Sequence, residues 1–366
     1  MDQTPVHVCT PQCAPWHHTA PTSRKRLPWR TVDVHCHMFT ALAEQLVADQ
    51  PQKRAEADVL RRLQGDASVE HNDAVVWPRA IRKMSTLGER LADMDATGVD
   101  VQVVSPSPTQ YYYWADEALA EAVVLAINSH IAEQCERHRD RLAPMGSVAL
   151  QHPALAIKQL RHCVRELGMV GVEVSGSVGG FDLADPRFER FWSEAAALDC
   201  PVFIHPMGTS LGERVNEYYL ANIIGQPLET TVALSKLILS GVLDRHPALK
   251  LIAAHGGGYL PSYVGRLDHG WSVRPEARTT PKLPSSYLRR IWFDSVVYSP
   301  GVLRQLIDTV GASQVMVGTD YPYDMGMDQV HEFFGQVAGL SEEDLQAMLG
   351  ANAARLFKLP QTEVAP

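Results

Sequence analysis

From residue 31 onward, short apolar runs rich in β-branched residues recur along the chain, each followed by a longer stretch with apolar positions at helical spacing. The runs that read as strands are 31–35, 101–105, 142–149, 170–175, 201–205, 249–255, 291–294 and 314–318. Helical patterns fall between or after them at 116–138, 153–167, 187–199, 229–243, 300–310 and 326–337. The strand runs are continuously apolar rather than alternating, which predicts a parallel sheet covered on both faces. Eight such units predict an α/β fold of the (β/α)8 TIM-barrel type. No Gly-x-Gly-x-x-Gly follows the first run, which argues against a dinucleotide-binding sheet.

The first two strand runs are unusually far apart, and this predicts a small insertion over 41–85, packed on the barrel mouth. Within it, 41–64 reads as charged helix and 65–80 (GDASVEHNDAVVWPRA) as loop or strand. A helix at 86–97 should stop at Gly98. Residues 1–29 carry Pro, Thr, His and Arg without an apolar period and read as an N-terminal arm; residues 30–360 form the barrel unit. Cys9, Cys13, His17 and His18 are too cramped, with too little apolar support, to make a zinc site.

The 366-residue chain is 45% hydrophobic and 20% charged, so it can bury a large core. Its net charge of −9 disfavours a nucleic-acid partner. No apolar run is long enough to span a bilayer, and the N-terminus lacks the apolar core of a secretion signal. The six cysteines form no disulfide framework. A cytoplasmic protein with reduced thiols is expected.

Histidine carries the chemistry. His35 and His37 alternate at the end of the first strand, so both rings project to one side. His205 closes the fifth run and His255 the sixth, and Asp320 closes VMVGTD (315–320), which carries the eighth run two residues on. In a parallel barrel the carboxyl ends of the strands converge on one mouth. Three imidazoles and a carboxylate suit a first-row divalent ion, with zinc the default and one ion per subunit. The expected ligands are His35, His37, His205 and Asp320, with His255 as the acid/base beside an activated water. The exchange of roles between His205 and His255 stays open on these grounds.

The segments VDVHCH (32–37), RLADMDATGVDVQVVS (90–105), HPMG (205–208), 225–270 around His255 and VMVGTDYPY (315–323) resemble the amidohydrolase superfamily. Within it the chain is similar to the aminocarboxymuconate-semialdehyde decarboxylase family. That resemblance implies a zinc-dependent, non-oxidative decarboxylase of a small unsaturated or aromatic acid, of the kind met in aromatic catabolism. It implies the same four ligands, His255 as general acid/base, and Arg90 and Arg266 as carboxylate-binding residues. It also implies a homodimer in which Arg266 serves the neighbouring subunit's site, with Arg274 a possible helper. Guanidinium groups suit the task because they grip carboxylates through two parallel hydrogen bonds.

The chain departs from the family pattern at Met207, Tyr219, Asn222 and Glu173, so the pocket has diverged more than the metal-ligand pattern. Tyr111, Tyr112, Tyr113 and Trp114 read first as packing and second as lining of the mouth. A hydratase, or a C–C or amide hydrolase, acting on a related ring-cleavage product is the alternative within the same metal chemistry. A serine hydrolase is disfavoured. Its Gly-x-Ser-x-Gly around Ser210 precedes the Gly-rich turn after His255, the reverse of the order such enzymes use.

Overall fold

The structure, a computed structural model, describes residues 27–360. Seven parallel strands run in chain order around one sheet: β1 (Val32–Met38), β2 (Val101–Pro106), β3 (Leu142–Ser147), β4 (Gly171–Val174), β5 (Val202–Ile204), β6 (Leu251–Ala253) and β7 (Ile291–Phe293). The register passes from Val32 to Val101 and from Gln102 to Leu142; farther round, Val172, Val202, Leu251 and Ile291 pair in succession. A short antiparallel hairpin, Ser177–Val178 with Phe181–Asp182, follows β4 outside the sheet.

The eighth position is filled without a regular strand. Val315 bridges Phe293, and Tyr321 bridges Cys36. Met316 N–H donates to Phe293 O and Val34 N–H to Val317 O, both at 2.9 Å; Asp320 N–H donates to His35 O at 2.8 Å. The barrel therefore closes, but the strand expected at 314–318 is a looser closing segment. At Gly318 a Cβ would lie 2.7 Å from Asp294 Cβ and 3.0 Å from His35 Cβ, so only glycine passes through this gap. Thr319 then turns its N–H and hydroxyl to the Asp33 side chain, at 3.0 and 2.6 Å, instead of to a ladder.

Helices cover the outside where the apolar spacing predicts them, at Glu117–Glu136, Pro153–Arg165, Glu189–Ala197, Gln226–Leu239, Pro300–Val310 and Val330–Gly335. Proline opens several of these, where its missing N–H costs nothing. The helix Leu87–Thr97 ends at Gly98 in the left-handed conformation, with Val99 N–H returning to Met94 O. Two apolar layers result. Val32, Val34, Val103, Met145, Phe203, Ile252 and Met316 fill the barrel interior, against Leu356 and Phe357 of the C-terminal helix. A larger layer lies between sheet and helices.

From Asp66 onward the segment 65–80 is helical, which corrects the loop-or-strand expectation. Asp66–His71 runs into a wide turn at Asn72–Val76 and then into Trp77–Ser85. Pro78 caused the misreading, because it lacks the N–H that an unbroken helix needs. The wide turn absorbs the defect: Trp77 N–H reaches back five residues to Asn72 O. The insertion leans on the loop after β5, where Asn216 Nδ2 donates to Arg62 O at 3.3 Å. No helix among the described residues is long and apolar enough to cross a membrane.

Candidate metal centre

A β-bulge builds the first half of the site. Between Asp33 and Cys36 the first strand advances three residues while β2 advances two, from Gln102 to Val104. Bulges re-aim side chains. Val32 and Val34 belong to the barrel interior, whereas Cys36 joins the layer beneath the helices. His35 and His37 are thereby turned inward together, their ring centroids 5.1 Å apart. His205 follows β5, and its ring lies 4.9 Å from His35 and 5.0 Å from His37. Asp320 completes the set from the closing segment.

One donor atom from each of His35, His37, His205 and Asp320 lies within 4.8 Å of the others, and all four residues are buried. Asp320 Oδ1 is 3.3 Å from Nε2 of both His35 and His37. Yet His35 Nε2, His37 Nε2, both ring nitrogens of His205 and Asp320 Oδ1 make no well-aligned hydrogen bond. Each unsatisfied buried group costs about 1–3 kcal/mol, so a cluster of them aimed at one space demands an occupant. The two distal nitrogens support the same conclusion. His37 Nδ1 faces Pro106 O at 2.9 Å and His35 Nδ1 faces Asp294 Oδ2 at 2.5 Å. Both partners are acceptors, so Nδ1 carries the hydrogen and the Nε2 lone pair points at the cluster. The donor set fits a divalent ion of the zinc or manganese type.

The electrostatics of the cluster agree. Burial alone would raise the Asp320 carboxyl, but the charge on His35 and the contacts with His255, His35 and His37 hold it well below the usual carboxylate range. Burial would lower His35, yet the charge of Asp320 and the hydrogen bond that the ring donates to Asp294 outweigh it and raise the ring well above its ordinary value. Two carboxylates thus call for positive charge at this point. At His205, burial and the neighbouring imidazoles outweigh the pull of Asp320 and keep the ring well below its ordinary value.

His255 stands beside the cluster rather than in it. Its Nε2 is 3.5 Å from Asp320 Oδ2, and its ring centroid is 5.1 Å from that of His205. Its backbone is left-handed, with φ of 54°. Asp294, which sequence reasoning missed, holds that turn by accepting from the N–H groups of His255 at 2.9 Å and Gly256 at 2.8 Å. Asp33 was missed as well. It is fully buried and accepts from His35 N–H at 3.0 Å, from Gln102 Nε2 at 3.1 Å and from Thr319. A signal existed for both: Asp294 ends a strand run as Asp320 does, and Asp33 sits in phase with the two histidines.

The arginines fall in different surroundings. Arg90, expected on a substrate carboxylate, is 1% exposed. Its Nη1 donates to Gln102 Oε1 at 2.8 Å, its Nη2 donates to His37 O, and its guanidinium lies 4.9 Å above the Tyr321 ring. Arg266 is exposed on the helix Leu260–Val273, and Arg274, at that helix's end, pairs with Glu276. Ser210 donates its hydroxyl to Glu229 at 2.6 Å, so no imidazole activates it.

The aromatic run packs. Tyr111 donates to Glu173 Oε1 at 2.6 Å, Tyr113 accepts from Ser175 N–H, and Tyr112 donates to Glu44 of the insertion. Glu173 is fully buried at the end of β4, its Oε2 3.9 Å from His37 Nδ1. Met207 is exposed in the loop after β5, and Asn222 is half-buried in the wide helical turn Ala221–Gly225. Cys9, Cys13, His17, His18 and most of the arm lie outside the described residues.

The amidohydrolase family model matches residues 32–359. A 2-amino-3-carboxymuconate-6-semialdehyde decarboxylase of Dictyostelium discoideum is 34% identical over 272 residues, covering 74% of this chain and 76% of its own. A gamma-resorcylate decarboxylase of Rhodococcus jostii is 30% identical over 289 residues, covering 74% and 87%. Among solved structures, a 5-carboxyvanillate decarboxylase of Novosphingobium aromaticivorans, complexed with manganese, shares the fold at a TM-score of 0.81. It is 24% identical and covers 91% of this chain and 97% of that one.

Proposed function

The chain belongs to the amidohydrolase family, and from that premise we propose that it is a divalent-metal-dependent, non-oxidative decarboxylase of a small aromatic or unsaturated carboxylic acid. The observation that carries this reading is the four-donor cluster of His35, His37, His205 and Asp320 with His255 standing next to it but outside it.

In this reading His35, His37, His205 and Asp320 hold the ion, zinc by default from the donor set. When bound, it supplies Lewis acidity that draws electron density from the substrate's oxygens. His255 delivers a proton from its ring to the carbon bearing the carboxylate. As the C–CO2 bond breaks, its electron pair refills the conjugated system and CO2 leaves. The proton must come from a side chain that can both give and take one, which an imidazole does. Arg266 grips a carboxylate across a homodimer interface; its exposure on an outer helix supports a role toward a second subunit. Arg90, with its internal partners, positions the His37 backbone. The four described cysteines are free and buried, which supports a reducing, cytoplasmic setting.

The test is trapped CO2 from metal-loaded protein. Aminocarboxymuconate semialdehyde and 2,6-dihydroxybenzoate serve as substrates, with His255→Ala as the control. Stoichiometric CO2 that disappears in the control supports the proposal. Substrate loss without CO2 overturns it in favour of a hydratase or hydrolase. Metal analysis of protein grown without supplement decides between zinc and manganese.

A further inference from the structure

We infer that Asp294 is a positioning residue that ties a metal-holding imidazole and the proton-carrying imidazole to one carboxylate. The inference rests on the roles proposed above for His35 and His255. Asp294 follows β7, is fully buried, and has no access to solvent through which water could share its load. Its Oδ2 takes the His35 Nδ1 hydrogen at 2.5 Å and the His255 N–H at 2.9 Å. Its Oδ1 takes the N–H groups of Gly256 at 2.8 Å and Val296 at 3.1 Å.

Two consequences follow from one oxygen serving both residues. The His35 ring is locked in the orientation and tautomer that present Nε2 to the cluster, as an outer carboxylate does for a metal-bound histidine. The His255 backbone is held left-handed, a conformation unfavourable for a residue with a side chain and kept only where the surroundings over-determine it. Without the carboxylate, nothing else among the described contacts satisfies the His255 and Gly256 N–H groups. The turn would relax and carry the His255 ring away from Asp320. Gly318 guards this arrangement from the other side. A methyl group there would meet Asp294 Cβ at 2.7 Å, His35 Cβ at 3.0 Å and Asp294 Cγ at 3.3 Å.

The test uses two variants of the full chain. Asp294→Asn keeps the shape but offers an amide, and Gly318→Ala keeps both groups while wedging them apart. Zinc affinity, by competition with a chromophoric chelator, should fall about 10–100-fold in each. With zinc held saturating, kcat should fall in both variants while KM stays near wild type, because no substrate contact is removed. Circular dichroism reports folding, and Gly318→Ala decides if Asp294→Asn does not fold. Wild-type zinc affinity in a folded variant overturns the inference. Weakened zinc binding with full kcat at saturation overturns the tie to His255. Failure of the wild-type protein to release CO2 strikes the proposed function, while the zinc measurement still judges the link between Asp294 and His35.

Discussion

Asp320 and His255 meet at 3.5 Å through the carboxylate oxygen that does not face the other two imidazoles: Oδ2 is turned to His255 Nε2, while Oδ1 lies 3.3 Å from both His35 and His37. In the proposed function, one side chain would separate a holding role from a proton-moving one. Removing the His255 ring should leave the four-donor cluster intact. His255→Ala is expected to keep one equivalent of metal per chain and lose about 10²- to 10⁴-fold in turnover, the range for lost acid–base catalysis. Elemental analysis beside steady-state rates checks this. Loss of the metal would make His255 a ligand.

Chelation should destabilise the fold if, as proposed, an ion answers for the buried nitrogens and the oxygen that the protein leaves unsatisfied. An ion present at a thousand times its Kd contributes about 4 kcal/mol, which for a chain of this size is a fall in Tm on the order of 5 °C on its removal. Dialysis against a chelator followed by differential scanning calorimetry measures the fall, and restoring zinc should reverse it. His205→Ala should show little response to either step. A Tm indifferent to chelation in the wild-type chain would speak against a structural share for the ion.

The barrel and the cluster were legible because the apolar runs end on the residues that carry the chemistry. His205, His255 and Asp320 each close such a run, and a parallel barrel gathers those ends. What period and composition did not reveal was local. The bulge between Asp33 and Cys36 leaves no mark in an apolar pattern, although it determines where His35 points. The closing segment reads as a strand over 314–318, but the pairing is broken at Gly318 and by Thr319 turning to Asp33. Asp294 looks like any strand-end acid until its four donors are seen. In the insertion, Pro78 and Gly65 masked a helix that a wide turn makes possible.

Arg90 separates two roles with different signatures. A guanidinium that grips substrate changes KM when it is removed and leaves stability nearly untouched. A guanidinium 1% exposed, serving His37 O and Gln102, leaves two buried acceptors unpaired when it is removed. Arg90→Met should therefore cost about 3 kcal/mol of unfolding free energy by urea titration, with zinc affinity weakened through the His37 backbone. A stable variant with raised KM would return Arg90 to the substrate.

Arg266 tests whether the active unit is shared between subunits. The residue is exposed on the helix Leu260–Val273, while the imidazole cluster is buried inside the barrel. If Arg266 serves the neighbouring site, Arg266→Ala and His255→Ala homodimers are both nearly inactive. A mixed dimer nonetheless holds one complete site, with His255 from one chain and Arg266 from the other. Random reassociation of equal amounts makes half of the dimers mixed, each with one of its two sites working. The mixture should then regain about a quarter of wild-type activity, as two-fold symmetry dictates. Unfolding and refolding the two variants together, against each refolded alone, provides the comparison. A mixture no more active than the average of its parents would place Arg266 outside the neighbouring subunit's site.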